Sequence, residues 1–191
     1  MEALKEALLD KDLFEEDILV ERAREDPEAF GILYQRYVEK IYSYIYYKVG
    51  NQEDAEDLTA KVFLKAFNHI KNYENRGLPF YAWLHRIAHN LLANWHRDRS
   101  RRKVIPLGEL PISSGGDTDP LISLEKEERL RKVMAAVRSL PPDKQEVIYL
   151  KFVERLSNQE IALIMGKTEN AIKALYHRAL IALREKLKDE F

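Results

Sequence analysis

Helical periodicity runs along this chain on both sides of one long interruption. Between Val104 and Ile122 the sequence reads VIPLGELPISSGGDTDPLI. Proline, glycine, serine and aspartate collect there, the composition of a tether rather than of a packed element. The chain is thereby split into two helical segments, each of which has to close its own core. A length of 191 residues suffices for two small domains. Only seven glycines punctuate it, which favours helices over sheets, and 46% hydrophobic residues supply cores for both. The predicted class is all-α: two small helical domains joined by a flexible linker, the C-terminal one containing a helix-turn-helix. The predicted boundaries are an N-terminal extension at 1–16, a first domain at 17–103, the linker at 104–122 and a second domain at 123–191.

Cysteine is absent, which excludes disulfides and thiolate zinc sites and suits a reducing cytosol. The opening MEALKEALLDKDLFEED has neither a basic start nor a long apolar run, so no signal peptide is expected there. No stretch reaches the roughly 18 apolar residues of a membrane span, so membrane insertion is not expected. The net charge of −1 conceals an uneven distribution. Acids gather near the start, at Glu15, Glu16, Asp17, Glu25, Asp26 and Glu28. Bases gather at Arg97–Lys103 and between Lys167 and Lys188. Fields act over a Debye length of about 8 Å, so these local clusters outweigh the average and point to nucleic acid.

In the first domain, Asp26 is placed to cap a helix, Pro27 to open it and Gly50 to stop it. Along it, Tyr42, Tyr44, Tyr46 and Tyr47 divide between a core side and a surface side. The next helix, in NQEDAEDLTAKVFLKAFNHI, carries acids in its first turn, where the helix dipole favours them. Asp54, Glu56 and Asp57 there are open to three readings: an acidic first turn, a docking surface, or a paired-carboxylate catalyst. NYENRGLPF breaks the pattern and reads as a loop, after which Pro79 starts another helix.

That helix, WLHRIAHNLLANWHRDRSRRK, places Leu84, Ile87, Ala88, Leu91 and Trp95 on one side, expected to be core. Trp83, Arg86, Asn90, Arg97 and Arg101 fall on another. An aromatic ring stacks on an unpaired base, and Arg and Asn reach phosphates or base edges. The pattern fits a surface for partly single-stranded DNA, against the alternative of a solvated face with one semi-buried tryptophan. His85, His89 and His96 lie on a third flank. No cysteine and no placed carboxylate completes a metal set with them, so no metal and no cofactor is expected. They are expected to flank the DNA face or meet solvent.

The second domain carries the sharpest local signal, LSNQEIALIMGKTENAIKALYHRALIALREKL. Ser157 and Glu160 form a capping-box pattern. Gly166 is placed to end the short helix in a left-handed conformation, and Thr168 to cap the next. Ala162 permits close helix approach, and Ile172 and Leu175 supply an apolar face. This is the spacing of a helix-turn-helix, whose second helix enters a major groove. Glu169, Asn170, Lys173, Ala174, His177 and Arg178 remain outward on it.

Taken in order, AFGILYQRYVEKIYSYI, DAEDLTAKVFLKAF, FYAWLHRIAHNLLANWHRDRSRR and LPPDKQEVIYLKFVERLSNQEIALIMGKTENAIKALYHRAL resemble the successive signatures of a bacterial RNA polymerase sigma factor of the extracytoplasmic-function (ECF) group. The resemblance spans about Asp17 to Leu187. It implies a cytoplasmic, non-enzymatic transcription initiation factor that directs core polymerase to specific promoters and helps open them. The first domain would dock on the clamp helices of the largest polymerase subunit through Asp54, Asp57, Leu58, Lys61 and Phe63. It would open the −10 element through Asn72, Asn75, Arg76, Phe80, Trp83, Arg86, Asn90, Arg97 and Arg101, the loop at 72–79 serving as a pocket for a flipped base. The second would read the −35 element as a duplex through Thr168, Glu169, Asn170, Lys173, Ala174, His177 and Arg178. An anti-sigma factor is a further implied partner. Three positions depart from the family's habit. Ala60 and Lys61 stand where Gln-Glu is usual, and Asn170 stands where glycine is frequent.

The tether suits that task. Elements two helical turns apart lie roughly 70 Å from each other, and 20 extended residues reach about 66–72 Å before the domains' own widths are added. Three other readings cover parts of the chain. A stand-alone helix-turn-helix regulator would not need the acidic turn or the loop-plus-aromatic segment. A nuclease would cleave with divalent metal. A sigma-like decoy would bind an anti-sigma partner but no promoter.

Overall fold

The structure, a computed structural model, describes residues 15–75, 77–99 and 120–188, with the side chains of all of these except 99 and 120–127. The described residues are helical with short connections, and they fall into two compact units. The predicted linker at 104–122 lies outside them up to residue 119.

The first unit begins with α1, helical over 15–23, followed by α2 (Pro27–Val49), α3 (Gln52–His69), a 3-10 turn at Ile70–Asn72 and α4 (Phe80–Arg99). The punctuation works locally as the sequence predicts. Asp26 accepts a hydrogen bond from the Glu28 N–H with Pro27 at the first helical position, and Gly50 ends α2 at φ 73°. Asn51 then caps α3 by accepting from the Asp54 N–H at 2.8 Å. The two-residue joint, Gly50-Asn51, forces α2 and α3 into an antiparallel pair, and α4 packs against both. Leu33, Ile41 and Ile45 from α2, Ala55, Val62 and Ala66 from α3, and Leu84 and Ala88 from α4 are sealed between them. The tyrosine run divides as its spacing requires. Tyr44 and Tyr47 are fully buried, whereas Tyr42 and Tyr46 are part-exposed and stack on each other at 5.9 Å.

The second unit comprises α5 (Pro120–Arg138), α6 (Pro142–Phe152), α7 (Asn158–Met165) and α8 (Glu169–Leu187). Helix α5 starts three residues before Ser123, because a proline is compatible with a first turn. Gln145 is buried and donates to the carbonyls of Arg138 and Leu140, at 3.0 and 2.6 Å, so α6 is locked to the end of α5. Val147, Leu150, Leu156, Ile161, Ile172, Leu175 and Ala179 form the core. Ser157 and Glu160 make both bonds of the capping box, at 3.2 and 2.6 Å. Gly166 sits at φ 63°, ψ 36° and turns the chain from α7 into α8, which Thr168 caps through the Ala171 N–H.

A Cβ at Gly166 would meet nothing within 4 Å, so an alanine there is opposed by backbone conformation alone. Gly166→Ala is expected to destabilise the second unit by about 1 kcal/mol. Denaturant unfolding of the full chain, followed by exchange of α7 and α8 amides, checks this. An unshifted midpoint would contradict the conformational argument.

Candidate polymerase and nucleic-acid interfaces

On α3 the core stripe runs through Ala55, Leu58, Thr59, Val62, Phe63 and Ala66. Leu58 and Phe63 are each only 4% exposed. These two predicted docking residues therefore shape the face from beneath instead of presenting side chains to a partner. Phe63 supports Tyr34 of α2, ring to ring at 4.8 Å. Asp54 is also tied inward. The Asn51 amide donates to it at 2.6 Å, and the Trp95 indole N–H of α4 at 3.3 Å. Asp57 and Lys61 stay on the surface and pair with each other at 2.6 Å. Around them lie apolar side chains that the sequence pattern did not single out: Leu64, 61% exposed, Phe67 and Tyr34. The signal was available, since Leu64 falls off the buried stripe of its own helix.

Helix α4 buries a different stripe from the expected one. Phe80, Tyr81, Leu84, His85, Ala88 and Leu92 face inward, while Ile87, Leu91 and Trp95 are only half-buried. His85 is fully buried, its ring 4.6 Å from that of Tyr44 and 4.5 Å from that of Tyr81. It thus neither meets solvent nor flanks a DNA face, because flat aromatic walls accept an imidazole as readily as an apolar ring. Phe80 is 1% exposed and cannot touch a base as it stands. It props Trp83 at 5.3 Å, and Tyr73 meets both, at 5.4 Å from Phe80 and 5.1 Å from Trp83.

The outward set survives this shift. Arg86, Asn90 and Arg97 are exposed, with Trp83 half-buried at their N-terminal end. Arg97 donates to Asn94 at 3.0 Å. Asn72 and Asn75 are exposed, and Asn75 accepts from the Gly77 N–H at 2.9 Å, closing a tight turn. Arg76 and Arg101 lie outside the described residues.

The turn leading into α4 depends on a group far away in sequence. Glu16 of α1, assigned by sequence to the extension, is 6% exposed and packs into the first unit. Its carboxylate accepts from the Phe80 N–H at 2.9 Å and from the Tyr37 hydroxyl, with the Arg36 guanidinium at 3.9 Å. Burial pushes its pKa up, against the opposing pull of the Phe80 N–H and Arg36. Burial, followed by the charges of Asp17 and Glu16, likewise pushes Tyr73 up to about 12.

On α8, Ile172, Leu175 and Ala179 face the core. Asn170, Lys173, Ala174, His177 and Arg178 are exposed, Thr168 caps the helix, and Glu169 is half-exposed. Lys173 pairs with Glu169 at 2.8 Å, and its hydrogen bond holds the Glu169 carboxyl below the usual range. The predicted face is thus assembled on one side of one helix. Among the described residues no three His, Asp or Glu side chains converge as metal ligands, and no helix is long and apolar enough to cross a membrane.

A four-helix unit with an exposed acidic turn on α3, followed by a helix-turn-helix, defines the class. Sigma-70 region 2 matches residues 33–102, and Sigma-70 region 4 matches residues 130–183. The chain is 39% identical to the ECF RNA polymerase sigma factor BldN of Streptomyces coelicolor over 90% of its own length and 66% of that protein's. It is 31% identical to SigE of Mycolicibacterium smegmatis, over 81% of this chain and 60% of that one. It is 30% identical to SigW of Bacillus subtilis, over 86% of this chain and 91% of that one. The chain therefore spans two thirds or less of the first two relatives and nearly all of the third. Two solved structures share its fold, each with a TM-score of 0.65. One is CnrH in complex with the cytosolic domain of CnrY, at 22% identity over 92% of this chain and 99% of that one. The other is the sigma factor RpoE with the anti-sigma factor NepR from Bartonella quintana, at 23% over 83% and 96%. The chain belongs to the ECF RNA polymerase sigma factors.

The raised Glu16 pKa makes a signed prediction. A buried carboxyl that holds its proton more tightly when folded stabilises fully below its unfolded value, 4.5, and loses that contribution as pH rises through the folded value. Glu16→Gln has nothing to titrate. The melting temperature of the parent chain minus that of the variant should therefore fall as pH rises from 4.5 to neutrality. Parallel curves over that range would exclude a buried, titrating Glu16.

Proposed function

We propose that this sigma factor docks on the clamp helices of the largest subunit of core RNA polymerase through the α3 face. Once docked, it directs the enzyme to promoters by reading the −35 duplex with α8 and holding an opened −10 strand against α4. The observation that carries this is the assembly, on one side of α8, of Asn170, Lys173, Ala174, His177 and Arg178 behind a capped turn. Such a helix presents its N-terminal half to base edges and its cations to phosphates. The protein would act in the cytoplasm without covalent chemistry of its own, the polymerase performing nucleotidyl transfer. An anti-sigma factor is a proposed partner, as NepR is for the RpoE of similar fold.

The docking contacts are Asp57 and Lys61, to which Leu64 and Phe67 are added. Asp54, Leu58 and Phe63 support them from behind. At the −10 element the direct contacts are Trp83, Arg86, Asn90 and Arg97, with Asn72, Asn75, Arg76 and Arg101 as further candidates and Phe80 as a support. A helix-turn-helix regulator working without polymerase leaves the region 2 match and the α3 face unexplained.

Asp57→Arg is expected to weaken core polymerase binding by several kcal/mol, since reversing a charge across a complementary interface costs that much. The same variant should bind −35 duplex normally. An equilibrium titration with core enzyme decides this, and unaltered affinity would remove the α3 assignment.

Lys173→Ala should weaken promoter binding of the holoenzyme at every sequence tested. It should also lower the slope of log affinity against log salt by about one unit. A loss confined to one promoter position, worth roughly 1–3 kcal/mol, would instead make Lys173 a base reader. Unchanged isotherms across the salt series would detach α8 from the DNA.

A further inference from the structure

Helix α4 begins without a cap of its own. The sequence before it, Gly77-Leu78-Pro79, offers no Ser, Thr, Asp or Asn side chain to accept from the first free N–H groups. The Glu16 carboxylate, 64 residues away, fills that role at the Phe80 N–H. An anion there is favoured by the helix dipole as well as by the hydrogen bond. Glu16 also accepts from the Tyr37 hydroxyl, whose ring stacks on Tyr81 at 5.2 Å in the first turn of α4. At the other end of α1, in the turn that closes it, Arg24 donates to the Tyr73 carbonyl at 2.7 Å. Lys71 and Glu25 add an exposed pair at 3.6 Å beside it. The two flanks of the connection between α3 and α4 are therefore held by opposite ends of one short helix. Between those flanks stand Tyr73, Phe80 and Trp83, packed ring against ring. Glu16 and Arg24 both precede residue 33, where the region 2 match begins.

We propose that α1 is a positioning element for strand opening: Glu16 and Arg24 bracket the Tyr73–Phe80–Trp83 group from its two sides and hold Trp83 in the orientation that receives an unstacked base. This rests on the assignment of Trp83 to the −10 strand. Neither residue touches DNA. They act by keeping the receiving group populated in one arrangement. Without them, the competent fraction falls and the apparent affinity for an opened base falls with it.

The test uses the full chain with core polymerase and a promoter carrying a fluorescent base analogue in the −10 region. Its variants are Glu16→Ala, Glu16→Gln, Arg24→Ala and Trp83→Ala. Hydrogen exchange of amides 77–83 in the free protein reports the bracket directly. It should accelerate in Glu16→Ala and Arg24→Ala while the α2 and α3 amides keep their protection. Opening should then drop about 2- to 30-fold in Glu16→Ala, the equilibrium range for loss of one cap, with closed-complex affinity unchanged. Glu16→Gln retains an acceptor for Phe80 and a partner for Tyr37, so it should recover most of the opening. A merely structural role would lower binding and opening together. If Glu16→Ala fails to fold, Arg24→Ala, on the opposite flank, carries the same test. Unchanged exchange at 77–83 overturns the bracket. Faster exchange with normal opening overturns its part in strand separation. Normal opening by a folded Trp83→Ala removes the −10 assignment itself, and the exchange data then still decide whether α1 brackets the group.

Discussion

The rotation of α4 about its own axis is the constraint on which the surface of the first unit depends. Each residue advances the helix by about 100°, so a slip of one position would turn Arg86 or Asn90 into the core and Leu84 or Ala88 out of it. Three features fix the angle. In the second turn the buried His85 ring packs on Tyr44 of α2. At the N-terminus the Phe80 N–H is bound by Glu16, and near the C-terminus the Trp95 indole is bound by Asp54. With these set, Trp83, Arg86, Asn90 and Arg97 come to one open side. The face proposed for DNA is thus a by-product of how the opposite face packs.

Local grammar was legible in the sequence wherever cause and effect lie within a few residues. Asp26, Pro27 and Gly50 bound α2, and Ser157, Glu160, Gly166 and Thr168 build the helix-turn-helix, as their spacing implied. The outward face of α8 was legible because its apolar residues are unambiguous. The stripe of α4 was not. Histidine and tyrosine are neither clearly polar nor clearly apolar, so the window that placed Ile87 and Leu91 inside overlooked Tyr81 and His85. Glu16 was illegible for a different reason. A cap supplied across 64 residues leaves no local spacing to detect, and an acid in an acidic stretch looks like solvated charge.

The same distinction separates two kinds of proposed functional residue. Those on α8 are displayed by an element whose orientation is set nearby, so pattern alone predicts that they face outward. The proposed docking residues mix layers. Leu58 and Phe63 match the family signature yet are buried, because a signature records what a fold needs as well as what a partner touches. Leu64 is 61% exposed on the same helix, and Phe67, though part-exposed, also packs edge-on against Phe30 at 5.1 Å.

That layering bears on Ala60 and Lys61, the two departures from the family's habit on α3. Lys61 pairs with Asp57 on the surface, where such a pair is worth only about 0–1 kcal/mol. On the proposed docking mode, a partner cation displaces the lysine at little cost, so the substitution leaves Asp57 available. Ala60 acts by absence. It lines an open groove of about 480 Å³ with Tyr34, Val38 and Tyr42, rimmed by Glu39 and Glu56. Glutamine at that position would add four heavy atoms and occupy part of the groove. With alanine there, Tyr34 and Tyr42 line the groove beside Glu39 and Glu56. The departure therefore alters the chemistry of the proposed docking face, from hydrogen bonding toward an apolar seat with acidic edges, while Asp57, the acid that resembles the family's own, stays in place.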